Sequence, residues 1–284
     1  MIIDKPMTLF EPTEEDMYQY AISRPLHQKV SQAIAVLREY EPRALQLSTD
    51  GFYVAFSGGK DSIVMLDLIR KSGVKHKAYY NNTTIDPPEL VKFIRTKYRE
   101  VVWNNPQSGL IQQVFEKNKG LPTHKQRWCC EIYKEQGGNR IFKAIGVRAP
   151  ESPRRKGLWR VINNHKTNHS PIICPIVYWT DSDVWEYIKK EELEYCELYD
   201  QGFKRLGCVG CPMGNQKKDF ARWPRYEKAW RSAAEKYYNR THGTPTKNGD
   251  VRWIDRFDTF EEYWEWWIRD EKKTDDPDCQ LWLW

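Results

Sequence analysis

Two groups of residues in this sequence could do chemistry: the run Ser57-Gly58-Gly59-Lys60-Asp61-Ser62, and the cysteines Cys129, Cys130, Cys208 and Cys211. In the first, two glycines separate an apolar run, Tyr53 to Phe56, from the helix-like stretch Ile63 to Ile69. A strand that turns through glycines into a helix presents consecutive backbone N–H groups and a positive helix end, which together bind anions. Glycine permits φ > 0 and the close approach of a phosphate, Lys60 adds a point charge, and Ser57 and Ser62 add hydroxyls. A plain tight turn is the bland alternative. The spacing is not that of a Walker A loop, which needs four residues between its glycines and a Lys-Ser/Thr after the second.

In the second group, Cys208-Val209-Gly210-Cys211 lets two sulfurs converge on one centre. The neighbours Cys129 and Cys130 can join them only if the backbone bends between them. Four thiolates suit tetrahedral zinc or a [4Fe-4S] cluster. Zinc sites usually take two knuckles of the C-x-x-C kind, so the tandem pair tilts the choice toward iron. The sequence has seven cysteines, and nothing at Met1-Ile2-Ile3-Asp4 reads as a signal peptide. A cytoplasmic protein with metal or thiol chemistry is therefore expected, without a disulfide framework.

The elements that must position these groups follow from periodicity. Strands are expected over 53–57, 77–83 and 100–103, with helices over 61–71, 88–98 and 108–118, then a helix near 125–136 and a strand from Ile141 to Val147. A last strand covers Pro171 to Ile176, and Thr180 with Asp183 has the spacing of a capping box. Strands alternating with helices of this length predict an α/β fold with a doubly wound parallel sheet, whose ligands bind beyond the carboxyl ends of the strands. Three loops should converge there: Ser57 to Ser62, Asn81-Asn82-Thr83-Thr84, and Gly146 through Arg148 to Arg154 and Arg155. Arginines in the last loop can fork onto phosphate or sulfate oxygens. Alone, Arg154-Arg155-Lys156 would be a solvated basic turn.

The 284 residues divide, on this reading, into a helical lead-in over 1–50, a nucleotide-binding α/β unit over 51–200 and a cysteine-containing helical region over 201–284. The lead-in carries one amphipathic helix, His27 to Tyr40. No apolar run reaches the roughly 18 residues of a membrane span. The net charge of +6 suits anionic substrates. Residues 203–241 carry ten Lys/Arg against three Asp/Glu, interleaved with Phe220, Trp223, Tyr226, Trp230, Tyr237 and Tyr238. Such a mixture either stacks the bases of a nucleic acid or is a helix whose aromatics are core. Residues 251–284 reverse the sign, and Trp264, Trp266, Trp267, Trp282 and Trp284 suggest a packing helix or partner surface.

The run Ser57 to Ser62 resembles the pyrophosphate loop of the adenine nucleotide α-hydrolase superfamily. With Trp128-Cys129-Cys130, Gly146-Val147-Arg148-Ala149-Pro150-Glu151-Ser152, the Pro175-to-Trp185 segment and Cys208-Val209-Gly210-Cys211, it follows the order seen in the phosphoadenosine phosphosulfate (PAPS) reductase family. The likeness spans roughly residues 50–225 and is greatest to cluster-bearing members, among them adenylylsulfate reductases and enzymes of DNA phosphorothioation. It implies a [4Fe-4S] cluster held by Cys129, Cys130, Cys208 and Cys211, with Cys196 as a substitute ligand. It also implies an adenine nucleotide on Ser57, Gly58, Gly59, Lys60, Asp61, Ser62, Asn82, Thr83, Gly146 and Arg148. Lys60, Asp61, Arg148, Arg154 and Arg155 are the candidate catalytic groups, with Mg²⁺ a further candidate at Asp61.

Two departures shape the expected function. Reductases of the family carry a nucleophilic cysteine in a Glu-Cys-Gly-(Leu/Ile)-His motif, whereas Cys279 lies in Asp278-Cys279-Gln280. The second-strand loop reads Asn-Asn-Thr-Thr-Ile-Asp in place of the family's Asp-Thr-Gly segment. The expectation is an iron–sulfur enzyme that binds ATP, cleaves it between the α and β phosphates and transfers sulfur from a donor, with nucleic acid a candidate acceptor. The alternatives are reduction of a sulfonucleotide to sulfite with a thiol or electron-donor protein, and a zinc-stabilised nucleic-acid-binding module.

Overall fold

The structure, a computed structural model, describes residues 13–268 apart from 117–118, 136 and 166–168 and the side chain of Arg154. Cys279, Trp282 and Trp284 lie outside the described residues. Two helices lead in, α1 (Glu14–Ser23) and α2 (Leu26–Leu47). Thr13 starts α1 with a reciprocal cap: its hydroxyl accepts from Asp16 N while the Asp16 carboxylate accepts from Thr13 N. Helix α2 outruns the expected end at Tyr40 and passes through Pro42. A proline mid-helix removes one backbone donor and crowds the preceding turn. Burial of Leu37 and Ala44, on either side of it, holds the helix together.

The α/β unit then runs β1 (Phe52–Ala55), α3 (Lys60–Ser72), β2 (His76–Asn81), α4 (Pro88–Lys97), β3 (Val102–Asn104), α5 (Leu110–Glu116), α6 (Trp128–Cys130), β4 (Lys143–Ala144), α7 (Pro153–Leu158), β5 (Ile162–Asn164), β6 (Pro171–Ile173) and α8 (Asp181–Lys190). The sheet order is β3-β2-β1-β4-β6-β5. Five strands are parallel, and β5 runs antiparallel against β6 at the edge. The doubly wound sheet is thus mixed and dominated by parallel pairs. Successive strands run outward from β1 to β3, and the chain then returns to the other side of β1 for β4. That reversal makes the carboxyl end of β1 the switch point where α/β sheets bind ligands.

The turn after β1 depends on glycine. Gly58 has φ +72°, and a Cβ there would lie 2.7 Å from Ile94 Cδ1 and 2.9 Å from Leu90 Cδ1, both on α4. Gly58→Ala therefore strains the backbone and overpacks the helix behind it, at a cost of about 2 kcal/mol. A thermal melt should fall by roughly 4–8 °C, and an unchanged midpoint would show that this turn does not need its glycine.

The remaining described residues include α9 (Gln216–Arg222), α10 (Pro224–Thr241) and α11 (Phe260–Ile268). One apolar cluster reaches from Leu26 on α2, through Val54, Phe56 and Ile63, to Trp264 and Trp267 on α11. Phe220, Trp223, Trp230 and Tyr238 are buried in it, and Tyr226 and Tyr237 pack against it. The aromatic residues of 203–241 are thus spent on the core, leaving the lysines and arginines as its polar face. Trp230 also donates from Nε1 to Val209 O at 3.0 Å, tying α10 to the C-x-x-C loop.

Candidate functional site

The first turn of α3 sits directly beyond β1, and Gly59, its N-cap residue, offers no side chain to close the helix end. Two hydroxyls order the loop instead. Ser62 Oγ donates to Gly59 O at 2.8 Å and accepts from Ser57 N at 3.2 Å, and Ser57 Oγ accepts from Gly59 N at 3.3 Å. Lys60 is buried. Its ammonium lies 3.1 Å from Asp181 Oδ1 and 3.6 Å from Asp61 Oδ2.

The loop after β4 closes on this turn. A Cβ on Gly146 would stand 2.9 Å from the backbone C and O of Asp61, so only glycine lets the two backbones pass. Two residues on, Arg148 is 3% exposed and reaches Asp61 Oδ1 (2.5 Å), Asp181 Oδ1 (3.0 Å) and Trp179 O (3.4 Å). Lys60 and Arg148 thus share two carboxylates. Partial burial alone would raise the Asp181 carboxyl, but hydrogen bonds and charge from Lys60 and Arg148 outweigh it and hold Asp181 below the usual range. Both oxygens of Asp61 are engaged by cations, so Asp61 organises Lys60 and Arg148, and Mg²⁺ there would have to displace one of them.

Arg155 pairs with Glu151, and its backbone is capped by Ser152 Oγ at 3.2 Å. Burial, then the charges of Arg205, Arg148 and Arg127 against the opposing pull of Asp61, push its guanidinium down to about 10. Crowding of like charge in a half-buried site is what a multiply charged anion relieves. Ser57, Gly58, Gly59, Lys60, Asp61, Ser62, Gly146, Arg148 and Arg155 are therefore brought together. Arg154 belongs to the same turn, although its side chain lies outside the described residues.

The loop after β2 is bonded to the C-x-x-C turn. Asn82 bonds within its own loops, accepting from Thr84 N at 2.9 Å and donating to Asn105 at 3.0 Å. Thr83 is buried, donates to Asp86 Oδ2 at 2.8 Å and takes a contact from Cys208 Sγ at 3.5 Å. Ile85 O accepts from Val209 N at 2.8 Å. This loop supports the cysteines, because its backbone and Thr83 are committed to the C-x-x-C turn.

The four cysteines influence one another electrostatically. Cys129 and Cys130 end the short α6, and the chain widens at once into a π-helical turn, Glu131–Glu135, the kind of bulge that re-aims side chains at functional sites. A thiol–thiolate hydrogen bond between Cys129 and Cys130 raises the first, with burial, Cys130, Cys208 and Cys211 adding to it. That bond lowers Cys130, and Lys134 and Arg127 lower it further. Cys208 is raised by burial, with Asp86 and Cys211 adding to the effect and Lys134 opposing it. Lys134 is raised, first by Cys208 and then by Asp86, Cys130 and Cys211.

Four thiols thus share one electrostatic neighbourhood with Lys134. Trp128 Nε1, next to the pair, is a buried donor without an acceptor among the described residues, which a bound group could supply. Among the described residues no three Cys, His, Asp or Glu side chains are grouped so that they could hold a metal ion, so a cluster at these cysteines would have to draw the sulfurs inward. Cys196 stands apart, with burial first and Glu197 and Glu89 after it raising its thiol.

Sequence reasoning missed Asp181, Tyr199, Lys134, Arg127 and Arg205. Asp181 had a faint signal as the first residue after the Thr180 cap. Tyr199 receives a 2.9 Å hydrogen bond from Lys60 N across 139 residues of chain, which no local pattern announces.

Among the described residues, no helix is long and apolar enough to cross a membrane. The model of the phosphoadenosine phosphosulfate reductase domain matches residues 51–213. An uncharacterized protein of Methanocaldococcus jannaschii is 31% identical over 65% of this chain, and the match spans only 42% of that relative. The adenosine 5'-phosphosulfate reductase of Staphylococcus haemolyticus is 30% identical over 63% of this chain and 79% of its own length. Among solved structures, the PAPS reductase of Candida auris in its phosphate complex is 16% identical, covers 72% of this chain and 98% of its own, and has a TM-score of 0.47. Since the family match takes in more than half of its residues, the chain belongs to the phosphoadenosine phosphosulfate reductase family, whose named relatives here are enzymes.

Proposed function

We propose that this protein is an iron–sulfur enzyme that binds ATP on the turn after β1 and uses cleavage between the α and β phosphates to drive sulfur transfer. The observation that carries the reading is the shared hold of Lys60 and Arg148 on Asp61 and Asp181 at the open end of α3. Two fixed cations at a helix N-terminus stabilise charge that develops on a departing pyrophosphate. In the proposed reaction an acceptor oxygen, for instance on a nucleic-acid phosphate, attacks the α phosphorus. A new P–O bond forms there, the α–β bridge breaks and pyrophosphate leaves. A sulfur nucleophile from the donor then displaces AMP. Loop amides and Lys60 hold the β and γ phosphates, Arg148 and Arg155 neutralise the leaving charge, and Asp61 and Asp181 keep both cations oriented. Cys129, Cys130, Cys208 and Cys211 would hold a [4Fe-4S] cluster, which when bound supplies iron and sulfide for handling the sulfur atom.

Incubation with α-labelled ATP and candidate acceptors should give pyrophosphate and a labelled acceptor. Normal nucleotide binding with no pyrophosphate from any acceptor would refute the reading. Likeness to the Staphylococcus haemolyticus reductase favours a second one, reduction of adenosine 5'-phosphosulfate to sulfite. Sulfite release that survives Cys279→Ser would assign the attack to an external thiol, and no release at all would remove that reading.

A further inference from the structure

The first amide of α3 is the group an anion at this turn most needs, and it already has a partner. Lys60 N donates to the Tyr199 phenol oxygen at 2.9 Å. A Cβ on Gly59 would lie 3.5 Å from the same oxygen, so the phenol stands over the glycine face of the loop. The Lys60 ammonium is 6.0 Å from the centre of the Tyr199 ring. Trp185 meets the ring edge-on at 5.2 Å, Tyr195 meets it at 6.2 Å, and a turn from Tyr199 N to Cys196 O at 3.1 Å fixes its backbone. Burial, the largest influence, pushes the phenol well above its ordinary range, so the oxygen on the amide is neutral.

We propose that Tyr199 gates the phosphate site: its hydroxyl competes with a phosphate oxygen for Lys60 N–H, and the phenol must leave that amide for the pyrophosphate group to seat. This rests on the reading of the loop as a nucleotide phosphate site. A phosphate oxygen wins the exchange because charge-assisted hydrogen bonds are about twice as strong as neutral ones. The contact given up is subtracted from the ligand's affinity, as for any protein that must first leave a competing arrangement.

Tyr199→Phe keeps the ring and its packing and removes only the competing oxygen. Calorimetric titration should show inorganic pyrophosphate and ATP binding about fivefold more tightly to the variant than to the unaltered protein, which is about 1 kcal/mol. Equal or weaker binding to the variant would overturn the gate, weaker binding meaning that the hydroxyl helps to hold the ligand. Failure of both folded proteins to bind either ligand would instead overturn the nucleotide reading, and the gate with it. Fluorescence gives an independent readout. Saturating pyrophosphate should change a tryptophan signal that Trp185→Phe abolishes, and an identical response in the two proteins means that Tyr199 stays in place.

Discussion

Arg148→Ala should lower kcat/KM for pyrophosphate release from ATP by about two to three orders of magnitude, the loss typical when a fixed electrostatic stabiliser is removed. Arg148 is buried and spans both carboxylates that orient Lys60. Its removal subtracts one positive charge and leaves Asp61 and Asp181 facing the incoming phosphates with only Lys60 to offset them. Breaking a buried pair by removing one partner also costs about 3–5 kcal/mol of stability, so rates are to be compared at a temperature where circular dichroism shows the variant folded. Arg148→Lys separates charge from shape. A lysine restores the charge but reaches one oxygen where the guanidinium fork reaches two residues, and should recover only part of the loss. An alanine variant within about threefold of the parent rate would detach this cluster from the chemistry.

The part of the site written in consecutive residues was the part that could be read. The turn after β1 is announced by two glycines between apolar runs, and the expected strand 53–57 and helix 61–71 became Phe52–Ala55 and Lys60–Ser72. The strand expected from Ile141 to Val147 shrank to Lys143–Ala144. Its apolar pattern continues, but the ladder cannot, because Gly146 must leave the sheet to cross the Asp61 backbone. The edge strand β5 went unseen because Asn163 and Asn164 carry no alternation, its pairing being supplied by β6. The stretch 203–241 has a composition that serves a nucleic-acid surface and a core helix equally well. The burial of Phe220, Trp223, Trp230 and Tyr238, and the bond from Trp230 to Val209 O, place these aromatics in the core. Asn82 and Thr83 follow a parallel strand, which is what places them in the expected nucleotide set. The rule gives the end of the sheet and not the direction of each side chain, and here Thr83 turns to Cys208.

Protein purified without oxygen should carry about four iron and four sulfide per chain with broad visible absorption, and alanine at Cys130, Cys208 or Cys211 should reduce both counts at least fivefold. The loop bearing Cys208 and Cys211 is held independently of any metal. Gly210 takes φ +76° where a Cβ would strike Phe220 at 2.7 Å, Gly210 N donates to Asp219 Oδ2 at 3.1 Å, and Gln216 donates to Gly210 O at 3.1 Å. A lost thiol there should therefore empty the centre before it unfolds the protein. The tandem pair is braced in the same way, with Asn81 Nδ2 donating to Lys134 O at 3.0 Å across the π-helical turn. Cys174 and Cys196 are the controls. Cys174 sits beside Asn163 in a separate small core, and Cys196 lies with Glu197 and Glu89. Alanine at either should leave iron and sulfide unchanged, and loss of iron from the Cys196 variant would restore it as a ligand. One zinc per chain with no labile sulfide would make the thiolate centre structural, and would move any sulfur chemistry to a group outside these four cysteines.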